Sequence, residues 1–200
     1  MLAKLSGFLR ATLSADPDAL IALEDELVTL QHYLEIESIR FGERLQVDFI
    51  CPPGLNDALV PSFLLQPLVE NAIKYAVSPQ EEGARISLSA QLVGHRLRLT
   101  VSDTGPGLRA RSRRATLPQA TFGKHESTGV GLANIRDRLA QAYGEDHLFE
   151  IRTPADGGFT VVIEVPLERA PETPSVAPAK PQAVPSVTPA PAQRALGFDT

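Results

Sequence analysis

The apolar positions change period along the chain, and each change marks an element. Leu2, Leu5, Leu9 and Leu13 fall three or four apart, the spacing of one helix face. Leu20, Leu23, Leu27, Leu30 and Leu34 alternate spacings of three and four, a heptad seam that predicts a second helix. Asp16 or Asp18 is placed to cap it, with Pro17 in its first turn. Glu24, Asp25 and Glu26 put negative charge early in this helix, where it suits the dipole. A narrow leucine seam wants a partner helix, so the seam is read as part of a dimerising bundle, the alternative being a helix packed on its own domain. Beyond residue 45 the pattern mixes periods. Residues 46–51 predict a strand, and residues 61 to about 76 a helix. Residues 85–92 and 96–103 alternate apolar and polar positions around Val93-Gly94-His95, as a hairpin does. Residues 129–143 predict a helix, and 147–152 with 159–165 a second strand pair, turned at Pro154-Ala155-Asp156-Gly157-Gly158.

Helices alternating with antiparallel pairs point to an α/β sandwich over residues 45–168, one mixed sheet with helices on one face. Residues 1–44 precede it as a helical hairpin, and 169–200 follow as a tail rich in Pro, Ala and Val. Such a tail buries too little surface to offset its ordering entropy and is expected to be disordered. Hydrophobic residues make up 43% of the chain, enough for a core, and a net charge of −5 without a basic block argues against a nucleic-acid partner. Cys51 is the only cysteine, which excludes an intramolecular disulfide and a cysteine-based zinc site; within an apolar run it reads as a buried structural thiol. No stretch reaches the roughly 18 apolar residues of a membrane span, so no membrane contact is expected within this chain. Lys4 and Arg10 among the first leucines do not make a signal peptide, and a cytosolic location is expected, any anchor lying outside these residues.

Three short constellations carry chemistry. On a helix, Leu65, Leu68, Val69, Ala72 and Ala76 share one face, while Glu70, Asn71 and Lys74 share the other. An amide, a carboxylate and an ammonium within one turn can hold a hydrated Mg²⁺ and a phosphate, although a plain Glu70–Lys74 surface pair has the same spacing. Asp103-Thr104-Gly105-Pro106-Gly107 follows a strand directly: the carboxylate can accept from an exocyclic amine, and the glycines let backbone approach a flat base. Ser127-Thr128-Gly129-Val130-Gly131-Leu132 ends a loop and opens a helix, whose first amides can bind phosphate or simply be capped by Ser127 or Thr128. No Gly-Lys-Ser/Thr follows the glycines, so this is not a Walker A loop.

In order and content the three resemble the GHKL ATPase superfamily, which includes the ATP-binding domains of gyrase, histidine kinases and MutL. Residues 70–74 resemble its N box, 103–107 its G1 box and 129–132 its G2 box, with Gly157-Gly158-Phe159-Thr160 similar to the Gly-Thr strand closing the site. Residues 30–37, 39–42, 61–71 and 134–139 resemble the LytS-like group of sensor histidine kinases. The resemblance implies a Bergerat-type sandwich binding ATP and Mg²⁺. It implies Asn71 as the Mg²⁺ ligand, Lys74 on phosphate and Asp103 on the adenine amine. Gly105 and Gly107 would shape the base pocket, Thr128, Gly129, Gly131 and Leu132 would cradle phosphates, and Thr160 would close the site. Residues 108–128 would be the ATP lid. A response regulator and a homodimer through the N-terminal helices are the implied partners.

Two departures bear on activity. Hydrolysing members place a general-base Glu four residues before the N-box Asn; here that position is Pro67, which favours phosphoryl transfer, with Glu70 left as a possible base. The group's acceptor histidine lies in an Asn-Pro-His-Phe stretch that this sequence lacks, and His32, His95, His125 and His147 have no matching context. The acceptor is therefore expected on a segment before Met1 or on another chain. A Ser/Thr kinase of the anti-sigma type and a non-catalytic ATP-binding module are the competing readings.

Overall fold

The computed structural model describes residues 19–107, 128–154 and 157–170, with the side chains of 128–130 left aside. The first leucine repeat (2–13), Asp16, Pro17, Asp18, most of the expected lid with its basic residues and His125, and the tail from 171 lie outside the described residues. In chain order the elements are β1 (Leu20–Ala22), α1 (Leu23–Phe41), β2 (Leu45–Ile50), β3 (Leu59–Pro61), α2 (Gln66–Ala72), β4 (Ala84–Val93), β5 (Arg96–Asp103), α3 (Thr128–Tyr143), β6 (Leu148–Arg152) and β7 (Phe159–Pro166). Single turns of tighter helix sit at Gly42–Arg44 and Pro53–Leu55, and α2 continues as a π-helical turn over Ile73–Val77.

Five strands form one mixed sheet in the order β2-β4-β5-β7-β6. The β2–β4 pair is parallel; the others are antiparallel. Strict alternation gives the sheet two unlike faces. Ala84, Ile86, Leu88 and Ala90 of β4, Leu97, Leu99 and Val101 of β5, and Val161, Ile163 and Val165 of β7 are all buried on the helical side. The opposite side carries ion pairs such as Asp48–Arg85 and Glu164–Arg98. The expected sandwich, with helices on one face, is the architecture observed.

Three local expectations are corrected. The second helix begins at Leu23, not before Leu20, because Leu20–Ala22 pairs antiparallel with Leu59–Pro61 as a separate two-stranded sheet. Its opening amides are met by backbone carbonyls, Leu23 N–H donating to Ala58 O (2.8 Å) and Glu24 N–H to Asn56 O (3.0 Å), with Ala22 at the N-cap. The same pairing takes Pro61 into β3, so the helix expected from residue 61 starts at Gln66. Third, the order runs past residue 168: Arg169 donates to Gly54 O (3.0 Å) and pairs with Asp57, and Ala170 N–H donates to Asp57 O (2.9 Å).

The leucine seam packs inward. Leu23, Leu30 and Leu34 are 0%, 1% and 5% exposed and belong to the same core as the sheet, with Leu27 partly buried against it. For these leucines the packing expected from a partner helix is supplied by their own domain. Cys51 is only half-buried, and burial pushes its thiol above the ordinary value. Among the described residues no helix is long and apolar enough to cross a membrane.

Removing the Leu30 side chain leaves a cavity inside this core. Leu30→Ala is expected to lower unfolding stability by about 2–5 kcal/mol, with a urea midpoint independent of protein concentration. A cost that appears only as concentration dependence would place the seam at an interface between copies instead.

Candidate functional site

Strand parity decides where the first functional group goes. The inward positions of β5 are Leu97, Leu99, Val101 and then Asp103, so a carboxylate occupies the last core-facing place and is only 7% exposed. Its Oδ1 accepts from Gly105 N–H at 2.9 Å. Gly105 must be glycine here: a Cβ would lie 2.5 Å from Ala76 Cβ and 2.7 Å from Ala76 Cα. The β5 loop is thus seated directly on the end of the helix bearing the first motif. Gly107 turns the chain at φ 73, and a Cβ there would come within 3.3 Å of Gly158 O. Gly158 N–H donates to Gly105 O at 2.7 Å, tying the turn before β7 to the same loop.

The helix α2 shows its expected faces. Leu65, Leu68, Val69, Ala72 and Ala76 are buried, while Glu70 and Lys74 are exposed and Asn71 half-buried between them. Glu70 Oε1 accepts from Gln66 Nε2 at 2.8 Å, and Lys74 Nζ lies 5.0 Å from the Tyr75 ring centroid. Lys74 sits within the π-helical turn, closed by Ser78 N–H donating to Ile73 O at 2.8 Å; such wide turns recur where a helix presents a functional group. Helix α3 opens at Thr128, and Gly131 in its first turn faces the N-box residue: a Cβ at Gly131 would lie 3.6 Å from Asn71 Nδ2. Leu132 packs on the core, and Ile135 and Leu139 anchor the helix below it at 1% and 0% exposure. The second and third motifs therefore both meet the helix of the first, Gly105 at Ala76 and Gly131 at Asn71.

Thr160 does not join them. The β5–β7 register sets Asp103 opposite Phe159 and Ser102 opposite Thr160. Alternation then sends the Thr160 side chain to the outer face with Ser102, and brings the buried Phe159 beside Asp103. The expected closing residue is one position off, and Phe159 is the side chain that sequence reasoning missed. Strand parity counted back from Val161, Ile163 and Val165 puts Phe159 on the inner face, and pairing with β5 brings it beside Asp103.

Glu26 was also missed, having been read as one of three dipole charges. It is 3% exposed, and its two oxygens accept from the backbone N–H groups of Phe63 (3.0 Å), Leu65 (2.9 Å) and Gln66 (3.4 Å), in the turn that opens α2. Burial raises its carboxyl above the ordinary value of 4.5, against the opposing pull of these amides and of Arg138. The side chain of Arg138, on α3, donates to Ser62 O and lies 5.8 Å from the Phe63 ring centroid.

Comparison with known proteins shows the family and the fold. The family model described as "Histidine kinase-, DNA gyrase B-, and HSP90-like ATPase" matches residues 56–169, and one described as "Histidine kinase" matches residues 1–45. The chain belongs to the histidine kinase-, DNA gyrase B- and HSP90-like ATPase family. It carries a catalytic ATPase domain of this family, preceded by a histidine kinase segment. Sensor protein LytS of Enterococcus faecalis is 32% identical over 169 residues, covering 84% of this chain and 28% of that protein. Sensor histidine kinase YesM of Bacillus subtilis is 31% identical over 166 residues, covering 83% of this chain and 27% of that protein. The chain thus spans under a third of the length of these relatives. The histidine kinase domain of the blue-light activated histidine kinase of Erythrobacter litoralis shares the fold at TM-score 0.51 and 18% identity, over 82% of this chain and 80% of that one.

Two outcomes follow for the ATPase domain. Gly105→Ala forces backbone apart at the Ala76 contact and is expected to cost about 1–3 kcal/mol in urea unfolding while weakening adenine-nucleotide binding; an unchanged affinity would separate this loop from the nucleotide. For Glu26, the folded carboxyl holds its proton more tightly than the unfolded one. The stability of the native chain relative to Glu26→Gln therefore falls as pH rises above 4.5 and levels off beyond the folded pKa. Denaturation curves stepped from about pH 4 to 8 measure it, and a difference that grows with pH would mean that the amides and Arg138 outweigh burial.

Proposed function

We propose that this chain binds Mg-ATP at the mouth bordered by Asn71, Asp103 and Gly131 and transfers the γ-phosphoryl group to a histidine on another segment or chain, for passage to an aspartate of a response regulator. The observation that carries the reading is that the second and third motifs both meet the helix of the first, with Gly131 against Asn71 and Gly105 against Ala76. Asp103 accepts from the adenine amine, and the tight turn through Gly105 and Gly107 borders the base. The first amides of α3, at Thr128, Gly129, Gly131 and Leu132, are aimed at phosphate, where a helix N-terminus favours negative charge. Lys74 adds a cation from the π-helical turn.

The donor set suits Mg²⁺ brought in with nucleotide. Asn71 offers one hard amide oxygen, and among the described residues no group of three or more His, Cys, Asp or Glu could hold a metal unaided. Mg²⁺ needs only one or two protein oxygens when phosphates and water complete its shell. When bound it neutralises charge on the transferring phosphoryl group; the residues supply position. In the transfer, the bond from γ-phosphorus to the β–γ bridging oxygen breaks as a bond to an imidazole nitrogen forms, ADP leaving with the bridging oxygen. Pro67, four residues before Asn71, offers no base for water, which favours transfer over hydrolysis, and exposed Glu70 is the group positioned to take up the imidazole proton.

A homodimer through residues 1–18 and their continuation, and a cytoplasmic location with any anchor outside the chain, belong to the same reading. The test is transfer of labelled γ-phosphate from Mg-ATP to an added acceptor-helix segment. Label on that segment, lost on Asn71→Ala by at least about a hundredfold, is expected. Label on the chain itself would move the acceptor to His32 or a hydroxyl, and binding without transfer to any acceptor would leave an ATP-binding module.

A further inference from the structure

The helix that bears Asn71 is held at both ends by one stretch of chain. At its start, the Glu26 carboxylate of α1 accepts from Phe63, Leu65 and Gln66 N–H. At its finish, Arg44, in the turn that closes α1, donates to the carbonyls of Val77 (3.2 Å), Ser78 (3.3 Å) and Gln80 (3.1 Å from Nε). The charges match the helix ends, anion at the N-terminus and cation at the C-terminus. Both anchors are more than hydrogen bonds of convenience. Glu26 is buried beside Ser62 and near Arg138, and a buried carboxylate is retained only where its oxygens find donors. Gly83 presses so closely on Arg44 that a Cβ there would lie 2.0 Å from Arg44 O. Between the anchors the turn is strained: Phe63 has φ 55, uncommon for a bulky residue. That strain is held by Glu26 on the Phe63 N–H and by Arg138 on the Ser62 carbonyl.

We propose that Glu26 and Arg44 are positioning residues for the metal-binding end of the ATP site: through them α1 sets where Asn71 stands relative to Gly131. The inference rests on the Mg-ATP reading above. The adenine end rests on this helix at Ala76 but has further support, since β5 places Asp103 and the Gly105 and Gly158 amides tie its loop. Loosening either anchor therefore affects the two ends of the site unequally. A displacement of α1 is passed to Asn71 by the same contacts, because that helix with its closing turn and the N-box helix share these bonds.

The experiment compares two affinities in the same chain: a fluorescent ATP analogue with saturating Mg²⁺, and ADP in the presence of EDTA. Glu26→Gln keeps size and one acceptor oxygen but replaces the other with a donor facing an N–H. The expected result is a loss of roughly tenfold in Mg-dependent affinity, the scale on which outer partners of a metal ligand act, with metal-free ADP affinity within about twofold. Arg44→Gln, at a part-exposed position with less demand on folding, is expected to show the same split and decides the matter if Glu26→Gln does not fold. Equal losses for both ligands, or no loss for either, overturn the proposal and leave the two residues as general supports. A native chain that binds neither ligand overturns the ATP-site reading itself, which the variants alone could not do.

Discussion

The core-facing side of β5 ends on a carboxylate, and the arrangement around it follows from the need to satisfy that group. Asp103 cannot turn to the outer face without reversing Val101 and Leu99 behind it, because strand parity is rigid. One oxygen is met by the Gly105 amide, which requires the chain to double back immediately. The doubled chain lies against Ala76 with no space for a side chain, so the loop after β5 and the helix carrying Asn71 are in contact by necessity. The Gly158 amide then closes the third side on Gly105 O. A buried polar group, two glycines and one alanine thus bring together segments separated by up to several dozen residues.

The N-terminal helix belongs to this structure and is not an attachment to it. Its leucines lie in the core shared with the sheet, and its one buried charge is spent on the turn that starts α2. Such a carboxylate adds little net stability, since desolvation offsets what the amides return. Its effect is geometric: it holds Phe63 in a left-handed conformation and fixes the direction in which α2 leaves. The ion pairs on the outer face of the sheet, such as Asp48–Arg85, are exposed and screened, and they fix nothing comparable.

Much of the site was legible in the residues because its chemistry is local. Glu70, Asn71 and Lys74 share a helix face by periodicity, and Asp103 ends a strand by alternation; both faces are where the pattern put them. Thr160 was misassigned because a one-residue offset in a strand exchanges faces, and the turn before β7 leaves the offset open until pairing with β5 settles it. Leu20 was drawn into the helical seam because three-and-four spacing continues through it, whereas pairing with Pro61 pulls it into a strand.

The sequence by itself determined most of the elements and their faces, the three motifs, the absence of a base at Pro67, and the family. These depend on side-chain chemistry and on repeats of 3.6 and 2, which operate within a few residues. Only the tertiary structure decided that the leucine seam is consumed by its own domain, that Gly131 meets Asn71, that Phe159 rather than Thr160 stands beside Asp103, and that Glu26 and Arg44 grip the two ends of one helix. Each of these is a contact between segments far apart in the chain. Whether a charge such as Glu26 faces water or a backbone amide is set by what arrives opposite it, and no local pattern carries that information.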